Sequence, residues 1–293
     1  MATKFSSIYK SAKDLVTKPY NYDNKVELKT KAANGATFTA DAAILGDGTA
    51  AANVKGEYAH GNFKVDKLAI GSDKKIVGEF SLKEAFPSTN ATFKFTEGSR
   101  ASTAANDATV GIVHTQGDAT FTVDAELING LSFDVSALFK YEGFLVGGTG
   151  KVNTSLGAEK DAKDPAAPVA LADYGLLAGY RAEDFTVAAN LTKALSHVDL
   201  SLHHKASSNL TAGFIAGFDV AGGSKPFAFT FGGDYKVDSD TTVSAAAASA
   251  GTVSLAYKQK LNSLATVKVS GQVDALNLGG DKHKFGLTLS LAN

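Results

Sequence analysis

Apolar and polar residues alternate one by one through almost the whole chain, from Lys25 to Leu291. The clearest example is 119–127, where alanine, phenylalanine, valine and leucine interleave with threonine, aspartate and glutamate. A period of two places one class of side chain on each face of a β-strand. The pattern predicts about nineteen strands, each near the ~9–11 residues that a tilted membrane strand requires. No linker divides the run, since the only low-complexity stretch, 158–168, is short enough to be a loop.

One face of each predicted strand is nearly free of charge, whereas the opposite face carries Lys, Asp, Glu, Ser and Thr. A lysine facing lipid costs about 2–4 kcal/mol at mid-depth, so the charged face must line the lumen of a barrel. Unpaired backbone groups in hydrocarbon cost several kcal/mol each, so the sheet must close on itself. We therefore predict an all-β membrane protein, a closed transmembrane β-barrel wide enough for a water-filled bore.

The predicted number of strands is odd, and this parity determines how the barrel closes. When hairpins join about nineteen strands in sequence, the first and last strands run in the same direction. We expect a mostly antiparallel sheet with a parallel first and last pair, 26–31 beside 285–291. Between 63 and 70 the alternation changes phase at Asp66, which indicates either a β-bulge or a wrongly assigned strand.

The opening segment follows a different period. Its apolar residues recur at the three- and four-residue steps of one helix face: Phe5, Ile8, Tyr9, Ala12, Leu15 and Val16. Thr3 or Ser6 is the expected cap, and Pro19 ends the helix. We expect residues 1–23 to form an amphipathic helix and linker in or at the pore, and residues 24–293 to form the barrel. A helix that only narrows the pore and stiffens its wall is one alternative, and a helix bound to the lipid surface is the other.

Composition and motifs argue against several other classes. The net charge of −1 gives no signal for nucleic-acid binding. The absence of cysteine excludes disulfides and thiolate metal sites. The segment 147–151 (GGTGK) is not a phosphate-binding loop, since Leu145 stands where that motif requires glycine. No residues form a catalytic constellation, so we predict no enzyme activity, no cofactor and no metal.

Several segments together resemble one family of membrane proteins. They are 11–22 (SAKDLVTKPYNY), 25–40 (KVELKTKAANGATFTA), 140–148 (KYEGFLVGG), 253–261 (VSLAYKQKL), 269–278 (VSGQVDALNL) and the ending GGDKHKFGLTLSLAN. Their order and spacing resemble the mitochondrial porins, the voltage-dependent anion channels of the outer membrane. Four residues of the ending fit the sorting signal of mitochondrial barrel proteins: Lys284, Gly286, Leu289 and Leu291.

The resemblance implies a nineteen-stranded barrel with the helix in the pore. It also implies that the channel closes in response to voltage. It implies passage of ATP, ADP, other small anionic metabolites and ions across the mitochondrial outer membrane. The lipid bilayer, further copies of the chain and cytosolic docking proteins are the expected partners. The residues expected to line the pore or sense voltage are Lys10, Lys13, Asp14, Lys18, Lys25, Lys29 and Lys31.

One departure from the family concerns the linker after the helix. Animal members of the family have a glycine-rich hinge there, whereas this chain has Pro19, Asn21 and Asp23. Gating that needs a flexible glycine hinge therefore does not fit this sequence.

Two other functions stay open on the sequence alone. A protein-import pore has the same barrel architecture, and a soluble β-rich binding protein would also alternate. A bacterial porin fits less well, because the sequence shows no secretory signal. The opening segment resembles a mitochondrial presequence in its Lys and Ser content, but Asp14 and the lack of arginine there argue against cleavage.

Overall fold

The computed structural model describes residues 4–98, 106–128, 130–154, 169–220 and 227–293. Thr3 and the low-complexity stretch 158–168 lie outside these ranges. One helix, α1 (Phe5–Thr17), precedes nineteen strands. The strands are β1 (Asn24–Lys31), β2 (Thr37–Ile44), β3 (Ala50–His60), β4 (Phe63–Gly71), β5 (Ile76–Phe86), β6 (Thr89–Glu97), β7 (Asp107–Gln116), β8 (Ala119–Glu126), β9 (Ser132–Tyr141), β10 (Phe144–Thr154), β11 (Val169–Arg181), β12 (Phe185–Thr192), β13 (His197–Lys205), β14 (Leu210–Asp219), β15 (Ala228–Lys236), β16 (Thr241–Ala248), β17 (Thr252–Lys260), β18 (Ala265–Asp274) and β19 (Lys284–Ala292).

All nineteen strands belong to one closed sheet, in which each strand pairs antiparallel with the next. The sheet closes through a parallel pairing of β1 with β19. The predicted strand number, the closure and the parallel pair are therefore confirmed. At Asp66 the β4–β5 register shifts between Val65 and Lys67, so the change of phase in the sequence marks an irregularity of the bulge type.

The register of the parallel pair differs from the expected one. Lys25 lies opposite Thr288 and Lys29 lies opposite Ala292, so the pairing joins 25–29 to 288–292. We predicted that 26–31 would lie beside 285–291, and this was wrong at both ends. The difference arises because closing a barrel requires a fixed stagger between strands, which no local pattern specifies.

The two faces of the sheet differ in polarity as predicted. Inward residues are identified by their burial against α1, as for Leu138, and by register with such residues. Outward neighbours are large, apolar and exposed, among them Phe139 at 52% and Val146 at 59%. Within the described residues, no helix is both long and apolar enough to cross a bilayer.

The helix is amphipathic, and its apolar residues Phe5, Ile8, Ala12, Leu15 and Val16 are buried. The expected cap at Ser6 was wrong. Lys4 holds the N-cap position without a side-chain cap, and the Ser7 hydroxyl donates to the Lys4 carbonyl at 2.6 Å. A short helix draws most of its stability from packing of its apolar face, so it forms without a cap.

Because the chain has no cysteine, single introduced cysteines report each face of the sheet without background. We expect Asp134→Cys to react rapidly with a charged, membrane-impermeant thiol reagent in proteoliposomes. We expect its matched neighbour Val135→Cys to react slowly, since strand alternation points it to lipid. Equal rates at the two positions would show that the assignment of the faces is wrong.

Candidate functional site

Helix α1 packs against an apolar patch on the otherwise polar inner wall of the barrel. Phe5 and Ile8 form a buried cluster with three inward leucines of β9, β10 and β11, together with Ala188 of β12. These leucines are Leu138, Leu145 and Leu177. Ile8 is 1% exposed and Leu138 is fully buried. Burying apolar side chains together is favourable, so this patch holds the first half of the helix against the wall.

Two glycines make room for the helix. A Cβ at Gly213 of β14 would lie 2.8 Å from Leu15 Cδ2 and 3.5 Å from the Ala12 carbonyl oxygen. A Cβ at Gly147 of β10 would lie 3.0 Å from Phe5 Cδ2. The GGTGK segment is therefore part of a strand whose first glycine admits the Phe5 ring. A side chain at Gly213 would collide with Leu15, and one at Gly147 would crowd both Phe5 and the Ala137 carbonyl oxygen of the neighbouring strand.

Sequence reasoning missed this docking patch, although a signal was present. In β9 the inward row consists of Ser132, Asp134, Ser136, Leu138 and Lys140. Leu138 is the one large apolar residue in that polar row. An apolar residue on a face that should meet water indicates that something else covers it. The spacing of the helix residues gave no indication of which strands carry the matching patch.

The charged side chains of the helix pair with one another. Asp14 forms ion pairs with Lys10 and with Lys18, the latter at 2.6 Å. Partial burial acts to raise the pKa of Asp14, but hydrogen bonds from the two ammonium groups outweigh it and lower that pKa. Asp14 is therefore ionised at neutral pH, and the helix carries three lysines against one aspartate on this face.

The three lysines of β1 have unequal surroundings. Lys25 Nζ lies 3.4 Å from Glu27 and 3.4 Å from Asp41, so its charge is compensated by two carboxylates. Lys29 and Lys31 follow in the same inward row and are exposed. The structure thus places all seven predicted pore residues on the helix or the inner wall, while their part in gating and selectivity stays a prediction.

The four residues of the predicted sorting signal lie on β19 and divide between its faces. Lys284 and Gly286 share the inward row with Thr288, whereas Leu289 and Leu291 share the outward row. An outward apolar pair suits contact with lipid. Their recognition by a sorting machinery stays a prediction.

A recess lies between the second half of the helix and the wall formed by β13–β18. Its volume is about 600 Å³. Its lining includes four lysines, Lys18, Lys236, Lys258 and Lys268, together with His203, and its acidic residues are Asp14 and Asp234. Lys18 is paired with Asp14, so the other three lysines against Asp234 leave the recess basic, which favours phosphate-bearing anions. Three of these lysines come from the last third of the chain and were not among the predicted site residues.

Inward charges also separate along the barrel axis. We call the end where β1 finishes, near Lys31, the basic end, and the end where β1 begins, near Asn24, the acidic end. Inward lysines at the basic end are Lys31, Lys83, Lys140, Lys205, Lys236 and Lys260. Among the other inward lysines in that half, Lys55 and Lys64 are paired with Glu57 and Asp66.

The acidic end carries an arc of carboxylates on β7–β14: Asp107, Asp124, Glu126, Asp134, Asp173, Asp199 and Asp219. Asp124 and Asp134 lie directly opposite each other on β8 and β9. Lys151 lies 3.5 Å from Asp134, and His197 lies 2.6 Å from Asp219. Seven carboxylates thus lie around Lys151 and His197, and the potential along the lumen is asymmetric.

A closed sheet with an apolar outer face, a charged lumen and a helix docked inside defines the class of protein: it is a β-barrel membrane channel. The model of the family described as Eukaryotic porin matches residues 2–286. The chain belongs to the eukaryotic porin family, and the expected family is confirmed. Its location is the mitochondrial outer membrane.

Relatives extend over nearly the full length of the chain. It is 28% identical to mitochondrial outer membrane protein porin 2 of Arabidopsis thaliana, over 98% of this chain and 97% of that one. It is 24% identical to the mitochondrial outer membrane protein porin of Candida albicans, over 98% of each chain. It is also 24% identical to the non-selective voltage-gated ion channel VDAC2 of Meleagris gallopavo, over 98% of this chain and 93% of that one.

Ile8→Ala tests how firmly the helix is docked. Removing a fully buried isoleucine side chain costs about 2–5 kcal/mol, so we expect a clear fall in the temperature at which the helix detaches. Helix detachment is followed by the protease sensitivity of the N-terminal segment in detergent. Lys13→Ala on the exposed side is the control and should change stability by no more than about 0.5 kcal/mol. Equal effects of the two changes would contradict docking through the apolar face.

The axial charge separation predicts that current depends on the sign of the voltage. In symmetric salt, we expect the open channel to pass unequal currents at equal positive and negative potentials. Asp124→Asn with Asp134→Asn should reduce this inequality and increase anion preference, because two facing carboxylates are removed. Asp73→Asn, in a turn at the same end, is the control. If the ratio of the two currents is unchanged in the double variant, the acidic arc does not cause their inequality.

Proposed function

We propose that this protein is a voltage-gated, weakly anion-selective channel through which ATP, ADP and other small metabolites and ions diffuse across the mitochondrial outer membrane. The observation that carries this proposal is the helix held inside the lumen, with its apolar side on the wall and its lysines towards the pore. The wall supplies a wide bore, and the helix occupies part of its cross-section. Passage is diffusion, and no covalent step is involved.

Anion preference follows from the distribution of ammonium groups. Lysines near a narrow passage raise the local concentration of anions and so raise their flux. The recess beside the helix offers Lys236 and Lys258 to a passing phosphate chain, whereas the charge of Lys18 is compensated by Asp14. The acidic arc at the other end opposes this effect, which explains why the preference is weak. We assign Lys25, Lys29 and Lys31 to the pore lining, with Lys25 contributing least because its charge is compensated.

Voltage acts on the net charge of the helix. Moving one elementary charge through the full membrane potential changes the free energy by about 2.3 kcal/mol per 100 mV. We assign voltage sensing to Lys10, Lys13, Asp14 and Lys18, which move together if the helix moves. We treat residues 1–23 as the gating unit and residues 24–293 as the wall.

The remaining partners are proposals of the same kind. Further copies of the chain and cytosolic docking proteins would meet the outer face and the rims of the barrel. Neither the import-pore alternative nor a soluble binding protein is favoured by a specific observation. An outer face with Val146 59% exposed and Phe144 59% exposed suits lipid rather than water.

Reversal potentials in planar bilayers test the role of the helix lysines. We expect the triple variant Lys10→Glu, Lys13→Glu, Lys18→Glu to move selectivity from anions towards cations, because six units of charge change next to the pore. Lys74→Glu, in the turn between β4 and β5, is the control for a charge change away from the helix. If the unaltered channel prefers cations, or the triple variant leaves the reversal potential unchanged, the assignment is wrong.

A further inference from the structure

The linker between the helix and β1 lies directly over one glycine of the wall. A Cβ at Gly286 would lie 2.4 Å from the Asn21 carbonyl oxygen and 2.6 Å from the Tyr22 carbonyl carbon. Both contacts are with backbone atoms, which cannot rotate aside as a flexible side chain would. No residue other than glycine therefore fits at position 286 while the linker keeps this path.

Three hydroxyl groups of neighbouring strands hold the linker in place. The Asn21 side-chain amide donates to Thr288 Oγ1 at 2.8 Å, and the Asn21 backbone N–H donates to Ser270 Oγ at 3.3 Å. The Tyr22 hydroxyl donates to Ser254 Oγ at 2.8 Å. These partners lie on β19, β18 and β17, and all three are buried. The linker thus crosses three strands with a hydrogen bond on each.

The linker itself is stiff. Between Lys18 and Asp23 it contains Pro19 and no glycine, so its backbone has little freedom of its own. A stiff linker positions the helix only if the linker itself is held against the wall. Four wall residues hold it, and we call them the linker seat: Ser254, Ser270, Gly286 and Thr288.

We propose that the linker seat fixes where the helix lies in the pore, and that Gly286 is a positioning residue for gating. This inference rests on the proposed voltage gating and deepens it. It gives Gly286 a role besides the sorting signal, because the same absence of a side chain admits the linker. Where animal members of the family have a glycine-rich hinge, this chain has a linker that residues of the barrel wall hold in place.

Refolded protein separates positioning from sorting, because refolding into lipid bypasses the cell's sorting machinery. In planar bilayers, we expect Gly286→Ala to change the ratio of open to closed channels at a fixed voltage by about fivefold or more. This is the change expected from loss of roughly one net hydrogen bond. Asn21→Ala and Ser270→Ala should shift the ratio in the same direction without adding a side chain to the wall, which keeps the test valid if Gly286→Ala refolds poorly.

Two controls match these variants. Gly148→Ala adds a methyl group to an outward strand glycine where the nearest atom is at 3.6 Å, an ordinary contact. Leu289→Ala alters the sorting pattern on the outward row of β19, away from the linker. Both should leave gating of the refolded channel unchanged. If Gly286→Ala and Asn21→Ala gate like these controls, the seat has no positioning role and the inference falls.

A second readout does not depend on channel activity. Ala12 is 1% exposed and faces the wall, so a cysteine there is protected while the helix is docked. We expect Ala12→Cys to react with a water-soluble thiol reagent about fivefold faster with Gly286→Ala than with Gly148→Ala, on the same reasoning. Equal rates overturn the inference. Faster reaction in a protein that never closes with voltage would support the seat while refuting the proposed gating.

Discussion

The need to pair every backbone group in hydrocarbon governs the whole structure. An open edge is too costly in lipid, so β1 must find a partner, and with nineteen strands that partner is the parallel strand β19. This closure has a local consequence. The segment that precedes β1 arrives beside β18 and β19, where Asn21 and Tyr22 meet the wall. The position of the pore helix thus depends on how the barrel closes.

A second constraint is that the inner wall contacts both the water of the lumen and the apolar face of the helix. Most inward residues are polar because they face the lumen, yet the wall of β9–β11 turns Leu138, Leu145 and Leu177 inward to receive the helix. On β14 the wall receives the helix in another way, because Gly213 has no side chain and leaves space for Leu15. The helix is therefore held by apolar contact on one side and left charged on the other. That division is what the proposed voltage sensing requires of the helix, which must be docked and still carry net charge.

The charged residues of the lumen differ both in their position along the barrel and in whether an opposite charge lies beside them. Several lysines are compensated by nearby carboxylates, as Lys25 is by Glu27 and Asp41. We propose that the exposed lysines at the basic end and in the recess beside the helix attract anions. The acidic arc on β7–β14 works against them. The proposed weak selectivity would follow from this opposition, since neither sign of charge surrounds the whole path of a permeating ion.

The sequence by itself determined the elements and their faces. Period-two alternation decided which residues of each strand meet lipid, the odd strand number decided the parallel closure, and Pro19 with the three- and four-residue steps decided the helix. Even the irregularity at Asp66 was visible as a change of phase. These features are local, because neighbouring residues on one strand or one turn of helix fix them. The tertiary structure alone decided the stagger of β1 against β19, the strands that receive the helix, and the contact of Asn21 with Ser270, 249 positions away. Such pairings depend on how a closed sheet brings distant strands together, and no local pattern carries that information.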